Sequence, residues 1–281
     1  MTESSFPHDG GQMAETAPDG VLVMHPDRPR MKLRPLKAWH HFRELVKDKE
    51  NTEEVFRIFE SLPSRDLETR ARNFVLSEAG ERIRASEAYL PDILDDHAAL
   101  RLLPEDSVAH AYLDFMESQG LTAAGLVAEY DKFIGDRPDY GDLFGWYLNR
   151  YRDTHDLLHV LTGYSRDALG EQCVLAFTHG QNGGMGNLFI AYAGALHMRN
   201  NGARGAPVVA AVREAQKQGK ACPRIADMPI RELLARPLAE VRREFAITPP
   251  RLYQQCHDQW RAMGIDPFDL LAPAAAEPLA A

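Results

Sequence analysis

The sequence predicts a mostly α protein, a single helical domain that carries a metal site on an αα-hairpin. Three observations lead there. Apolar residues recur at three- and four-residue spacing along most of the chain. Alternating runs bounded by turns, the signature of strands, are nearly absent. The 281 residues, 44% of them hydrophobic, can fill one large core.

Residues 1–30 are rich in Gly, Pro, Asp and Ser without periodicity and read as a flexible tail. The helical domain is expected over 31–270. In "PLKAWHHFRELVKD", Leu36, Trp39, Phe42, Leu45 and Val46 form an apolar stripe. Lys32, Arg34, Lys37, Arg43 and Lys47 surround it. A basic amphipathic helix of this kind can lie on an anionic membrane surface; the alternative is a core-packed helix with a solvated basic side. "NTEEVFRIFESL" opens with Thr52 as a candidate N-cap and puts Val55, Ile58 and Phe59 on one face. "PEDSVAHAYLDFM" and "AAGLVAEYDKF" continue the pattern. "DLFGWYLNRYRDTHDLLHVLTG" reads as one helix ending at Gly163, with another starting after an N-cap at Ser165. "NLFIAYAGALHM" is small and apolar, suited to close packing or to the wall of a greasy pocket, with packing the default. "RELLARPLAEVRREF" should break at Pro237, and "PRLYQQCHDQWRAMG" should stop at Gly264. A second tail is expected over 271–281.

The formal charge of −9 argues against nucleic acid as a partner. Three cysteines, none in a CxxC pair, indicate neither a disulfide framework nor a cysteine-rich zinc site, and fit a reducing cytoplasm. The opening residues have no basic region followed by an apolar run, so no secretory signal is expected. The most apolar stretch is too short to span a bilayer.

Function is concentrated in "RDTHDLLHVLTGYSRDALGE", residues 152–171. Each helical residue turns by about 100°, so with His155 at zero, His159 falls near 40° and Asp156 near 100°. Two imidazoles and a carboxylate on one arc can share a divalent ion. If Gly163 ends one helix and Ser165 caps the next, Glu171 faces His159 across the hairpin and closes a set of His155, Asp156, His159 and Glu171. Asp167, one turn from Glu171, is a reserve ligand or a partner of the ligands. Arg152 falls near 60° on the same wheel. Its guanidinium would meet a carboxylate or phosphate held by the metal, or would pair with Asp156. Leu148 and Gly145, a turn further back, make that face apolar away from the metal.

HDLLH differs by one residue from the HExxH of zinc proteases, where the Glu is a general base and not a ligand. Asp156 is shorter and shares the arc of the histidines, so it serves better as a ligand, and a protease is disfavoured. An HD-type phosphohydrolase would need further ligands; His97 and His110 have no specific spacing for that. Surface or core histidines are the plain alternative.

H-D-x-x-H, eleven residues and then Glu resembles the zinc motif of the coenzyme Q biosynthesis protein 4 family. "LPEDSVAHAYLDFM" and "EVRREFAITPP" are similar to its other segments, and the resemblance covers roughly residues 95–250. It implies a mostly helical protein of ubiquinone synthesis. It also implies removal of the C1 carboxylate of a polyprenylated 4-hydroxybenzoate-type intermediate, with hydroxylation, and a role in organising other ubiquinone-biosynthesis proteins at a membrane. Zinc is the expected ion, with Fe(II) or Mn(II) also suited to the donors. Arg152 is the expected catalytic residue. Four protein ligands would instead fit a structural ion in a non-catalytic, prenyl-lipid-binding scaffold. A homo-oligomer, peripheral at the inner face of a bacterial membrane, is expected.

Overall fold

The computed structural model describes residues 15–48, 51–64, 66–201 and 205–270. Among them there is no strand, only two isolated bridges. The helices are α1 (Pro35–Lys47), α2 (Thr52–Ser61), α3 (Leu67–Val75), α4 (Glu78–Ser86), α5 (Leu90–Leu94), α6 (His97–Leu100), α7 (Val108–Gln119) and α8 (Ala123–Ile134). Then come α9 (Leu143–Asp153), α10 (His155–Thr162), α11 (Ala168–Asn182), α12 (Met185–Asn201), α13 (Val208–Ala221), α14 (Ile230–Leu234), α15 (Leu238–Glu244) and α16 (Arg251–Ala262). The expected tail over 271–281 lies outside the described residues, as do residues 1–14.

Local chemistry explains many boundaries. The side chains of Ser107, Thr122 and Asp142 accept from backbone N–H groups of the first turns of α7, α8 and α9. Pro237 separates α14 from α15, as its ring requires. Gly264, at φ +75, follows the end of α16. Thr52 is not the cap: α2 starts at Thr52, and Asn51 holds the cap position, its carbonyl accepting from the Glu54 N–H at 3.2 Å without a side-chain cap bond.

The main core is built around α11, which packs on α12 and α13. The α11–α13 crossing is close because glycines meet there. A Cβ at Gly219 would lie 2.0 Å from the Phe177 carbonyl oxygen, and one at Gly180 would lie 2.4 Å from that of Gln216. The small residues of α12 serve packing in the same way: a Cβ at Gly194 would strike the Gln172 amide on α11.

A smaller core corrects the reading of residues 1–30 as a tail. Within it, residues 15–30 are ordered against α3, α4 and α9. Ala17 and Val23 are buried with Phe74, Ile83, Leu143 and Tyr147. Leu143 and Phe144 donate their N–H groups to the carbonyls of Leu22 and Val23, each at 2.9 Å. Arg28 donates to Asp142, while Glu15 and Asp19 pair with Arg72 and Arg84. Apolar positions too sparse to show a period still close a core when ion pairs fasten the segment. Leu148, expected on the apolar side of the metal face, packs against this core, and Gly145 lies beside Arg28.

Candidate metal centre

The long helix expected through Thr154 is two helices. Thr154 sits at φ −83, ψ 0, and its hydroxyl bonds the Tyr151 carbonyl at 3.1 Å. α10 therefore starts afresh at His155, with Asp156 in the first turn, where a carboxylate is favoured by the helix dipole. The helix ends at Gly163, whose φ of +78 a side chain resists and whose N–H returns to the His159 carbonyl at 2.8 Å.

His155, Asp156 and His159 converge as their spacing implies. One donor atom from each lies within 4.8 Å of the others. His155 Nδ1 is 3.3 Å from Asp156 Oδ1, and the two rings meet edge to face at 5.0 Å. Glu171 arrives from the first turn of α11. Its Oε2 is 3.5 Å from His159 Nε2 and 3.8 Å from His155 Nε2.

His159 is the most constrained of the four. It is 1% exposed and stacks on Phe115 of α7 at 5.4 Å. Its Nδ1 lies 2.9 Å from the Tyr164 carbonyl, which can only accept, so Nδ1 carries a proton and, in the neutral ring, Nε2 carries the lone pair. That buried Nε2 makes no hydrogen bond among the described residues and faces the Glu171 carboxylate at 3.5 Å. A buried lone pair set against a carboxylate is costly in a plain core and suits a cation held between them.

The charges are arranged accordingly. Burial would raise the Glu171 carboxyl, but His159, His155 and Arg166 outweigh it and hold it at about 2. Burial opposes charge on Asp156 as well, yet the neighbouring imidazoles keep its carboxyl below the usual range. Burial disfavours a charged His155, but Asp156 and Glu171 raise its pKa above the ordinary imidazole value. The cluster thus presents two carboxylates in their charged form beside two imidazoles.

Two residues stand elsewhere than the sequence implied. Arg152 belongs to α9, and the wheel drawn through α10 does not carry across the break at Thr154. Its guanidinium pairs with Asp153 at 2.8 Å, bonds Asn149 and lies over the Tyr130 ring at 4.8 Å. It does not pair with Asp156. Burial pushes the Asp153 carboxyl up to about 6, although Arg152 pulls it down. Asp167 is the N-cap of α11, not Ser165. It accepts from the Leu169 and Gly170 N–H groups, from the Tyr253 hydroxyl at 2.5 Å and from His257 Nε2 at 3.1 Å. With its lone pairs used this way it anchors the hairpin to α16 and is no reserve ligand. His97 and His110 are also elsewhere, with Glu117 beside one and the Arg101 carbonyl beside the other.

Other residues had no signal in the motif. Tyr112 lies one turn before Phe115 on the face of α7 that covers α10. Its hydroxyl is buried without a partner, and burial, then the Asp156, Asp95 and Asp153 carboxylates, push it far above the usual tyrosine range. Arg166 Nε lies 3.8 Å from Glu171 Oε1 at the rim. Only the packing of α7 and the turn after Gly163 bring these groups to the site.

Fold and site together define a mostly helical protein whose histidine–carboxylate cluster is built across a helical hairpin. The profile of the family described as coenzyme Q (ubiquinone) biosynthesis protein Coq4 matches residues 48–251, and the chain belongs to that family. It is 33% identical over 108 residues to ubiquinone biosynthesis protein COQ4 homolog 2, mitochondrial, of Culex quinquefasciatus, covering 38% of this chain and 45% of the relative. The corresponding homolog of Rattus norvegicus is 27% identical over 157 residues, 55% of this chain and 56% of that one. The chain thus spans about half the length of the curated relatives it matches. A putative ubiquinone biosynthesis protein from Nostoc punctiforme shares the fold, with a TM-score of 0.53 at 15% identity over 77% of this chain and all of that one.

Proposed function

We propose that this chain serves ubiquinone synthesis as a metal-dependent enzyme that removes the C1 carboxylate of a polyprenylated 4-hydroxybenzoate-type intermediate, with hydroxylation at that carbon. Family membership supports the pathway. The observation that carries the metal is the buried Nε2 of His159, which makes no hydrogen bond and faces the Glu171 carboxylate within the cluster.

His155, Asp156, His159 and Glu171 would hold the ion. When bound, a divalent ion supplies charge stabilisation for the electron pair left on the ring as CO₂ departs, and Fe(II) or Mn(II), unlike zinc, could also support the oxygen chemistry of hydroxylation. The protein's own part is orientation and charge. Tyr164 holds the His159 tautomer through its carbonyl. Phe115 covers that ring on the core side. Arg166 at the rim, and Arg152 on exchanging Asp153 for substrate, are the cations available to a ring carboxylate. Tyr112 offers a hydroxyl with no other use.

No helix among the described residues is long and apolar enough to cross a membrane. A polyprenylated substrate resides in the bilayer, so the protein would work peripherally, at the inner face of a bacterial membrane and beside other ubiquinone-biosynthesis proteins. Quinone extraction from cells lacking the gene tests the reading. A carboxylated prenyl-benzoate should accumulate and ubiquinone should fall; normal ubiquinone would overturn it.

A scaffold with a structural ion has one observation in its favour, the four protein donors that can saturate a tetrahedral ion. The two readings part at His159→Ala. A catalyst keeps its helical content and melting behaviour while complementation fails; a scaffold with a structural metal loses its fold.

A further inference from the structure

The four large apolar residues Met31, Leu33, Leu36 and Trp39 crowd into nine positions and are all exposed, Leu36 at 87% and Trp39 at 52%. The stripe read from the sequence is therefore not one buried face. With about 100° per residue, the buried Ala38, His41 and Phe42 lie on one side of α1 and Leu36, Trp39, His40 and Arg43 on the other. The inner side packs on the protein: His41 Nδ1 lies 2.6 Å from Glu54 of α2, and Phe42 packs on Phe189 of α12. Trp39 meets Phe189 edge to face at 6.2 Å on one side of its indole, while the residue as a whole is exposed.

Charge follows the same segment. From Arg30 to Arg43 there are five Lys or Arg and no Asp or Glu, in a chain whose net charge is −9. None of Arg30, Lys32, Arg34, Lys37 and Arg43 makes an ion pair among the described residues, whereas Arg28, just before them, pairs with Asp142 and Lys47, just after, pairs with Glu44. An isolated cationic rim around an exposed apolar crest, on an otherwise acidic protein, is complementary to a surface that is anionic outside and apolar beneath. A tryptophan at that boundary suits the headgroup level of a bilayer.

We propose that residues 30–43 and the outer face of α1 are a docking site for an anionic lipid bilayer, with Leu33, Leu36 and Trp39 entering the interface and Lys32, Arg34 and Lys37 meeting the headgroups. The proposal rests on these surface residues alone and not on the decarboxylation reading. α12 packs against both α1 and α11, so the docked face is one helix layer from the helix that carries Glu171.

The test is flotation of the full chain with phosphatidylcholine vesicles, with and without about a fifth of anionic phosphatidylglycerol. Binding should need the anionic lipid and weaken as salt rises from about 0.05 to about 0.5 M. At roughly a factor of five per cation, Lys32→Gln, Arg34→Gln and Lys37→Gln together should weaken it on the order of a hundredfold and remove most of the salt dependence. Leu36→Glu should weaken it about tenfold or more. Circular dichroism and metal content should not change in either variant, because no altered side chain is in the core or at the metal. Wild-type protein that does not float, or variants that float like wild type, would overturn the proposal. So would variants that turn a dimer into a monomer in sedimentation with flotation unchanged, which would make a second copy of the chain the occupant.

Discussion

Helices α10 and α11 end alike around a histidine, although Gly163 is left-handed at ψ 14 and Gly183, at ψ −137, is not. His159 and His179 each stand four residues before a glycine of positive φ, +78 at Gly163 and +71 at Gly183. Each histidine receives that glycine's N–H on its own carbonyl at 2.8 Å. Each ring places Nδ1 2.9 Å from the carbonyl of the residue after the glycine, Tyr164 in one case and Gly184 in the other. Yet only His159 is a candidate ligand. One turn before it stand His155 and Asp156, and Glu171 faces it; one turn before His179 stand Leu175 and Ala176. His159 is sealed under Phe115, whereas His179 is half-buried. A helix end can fix an imidazole's tautomer anywhere. The preceding turn and the facing helix decide whether that fixed lone pair has anything to share.

The largest effect should come from the two histidines themselves. His159→Ala should weaken divalent-metal binding by more than about a hundredfold, beyond the usual loss on removing an outer partner of a ligand. His179→Ala should leave it within about twofold. Elemental analysis of both proteins, purified without chelator, reads this directly, and equal losses would show that the two ends do not differ as described.

Glu171 comes next. Glu171→Gln should lower metal affinity about tenfold. The metal-free protein should also show a pH signature. The folded Glu171 carboxyl lies at about 2, below its ordinary 4.5, so its contribution to stability is complete above about 4.5 and is lost as pH falls toward 2. The gap in urea midpoint between wild type and Glu171→Gln should therefore be widest near neutrality and shrink on acidification below 4.5; a gap that widens there would contradict the assignment.

The glycines sharpen the comparison. Gly163→Ala should cost about 1–2 kcal/mol of stability from left-handed backbone alone, and Gly183→Ala more, because φ +71 with ψ −137 is a conformation essentially only glycine adopts. At Gly163 nothing comes closer to the new Cβ than 3.8 Å, so backbone strain is the whole cost. Metal titration should separate them: only Gly163→Ala moves the Tyr164 carbonyl and should weaken metal binding, about tenfold. Arg152→Ala should keep metal occupancy near wild type, since its partners are Asp153, Asn149 and Tyr130, and should impair complementation of a ubiquinone-deficient strain. Collapse of occupancy would make Arg152 a support of the hairpin only. The smallest effect should be Tyr112→Phe, which removes one hydroxyl without changing the packing; metal content and melting should hold while complementation drops severalfold.

The sequence by itself determined the helical class, the break at Pro237, the stop at Gly163 and the set His155, Asp156, His159 and Glu171. Most of these are local: propensity, a ring that lacks an N–H, a glycine's left-handed φ and an i,i+4 spacing act within a few residues, and the tight turn after Gly163 brings Glu171 back to His159. The tertiary structure decided the rest. Thr154 breaks the helix, so Arg152 faces Asp153, which no single helical wheel could show. Asp167, a plausible ligand by spacing, is claimed by Tyr253 and His257 from α16, some 90 residues on. Residues 15–30, aperiodic in sequence, are held by partners on α3, α4 and α9. The apolar stripe of α1 is divided between core and solvent because α2 and α12 can cover only one side of a helix. Phe115 and Tyr112 reach the hairpin of α10 and α11 because α7 packs there. Contacts between distant segments depend on where whole helices come to rest, and only the summed burial of the core sets that.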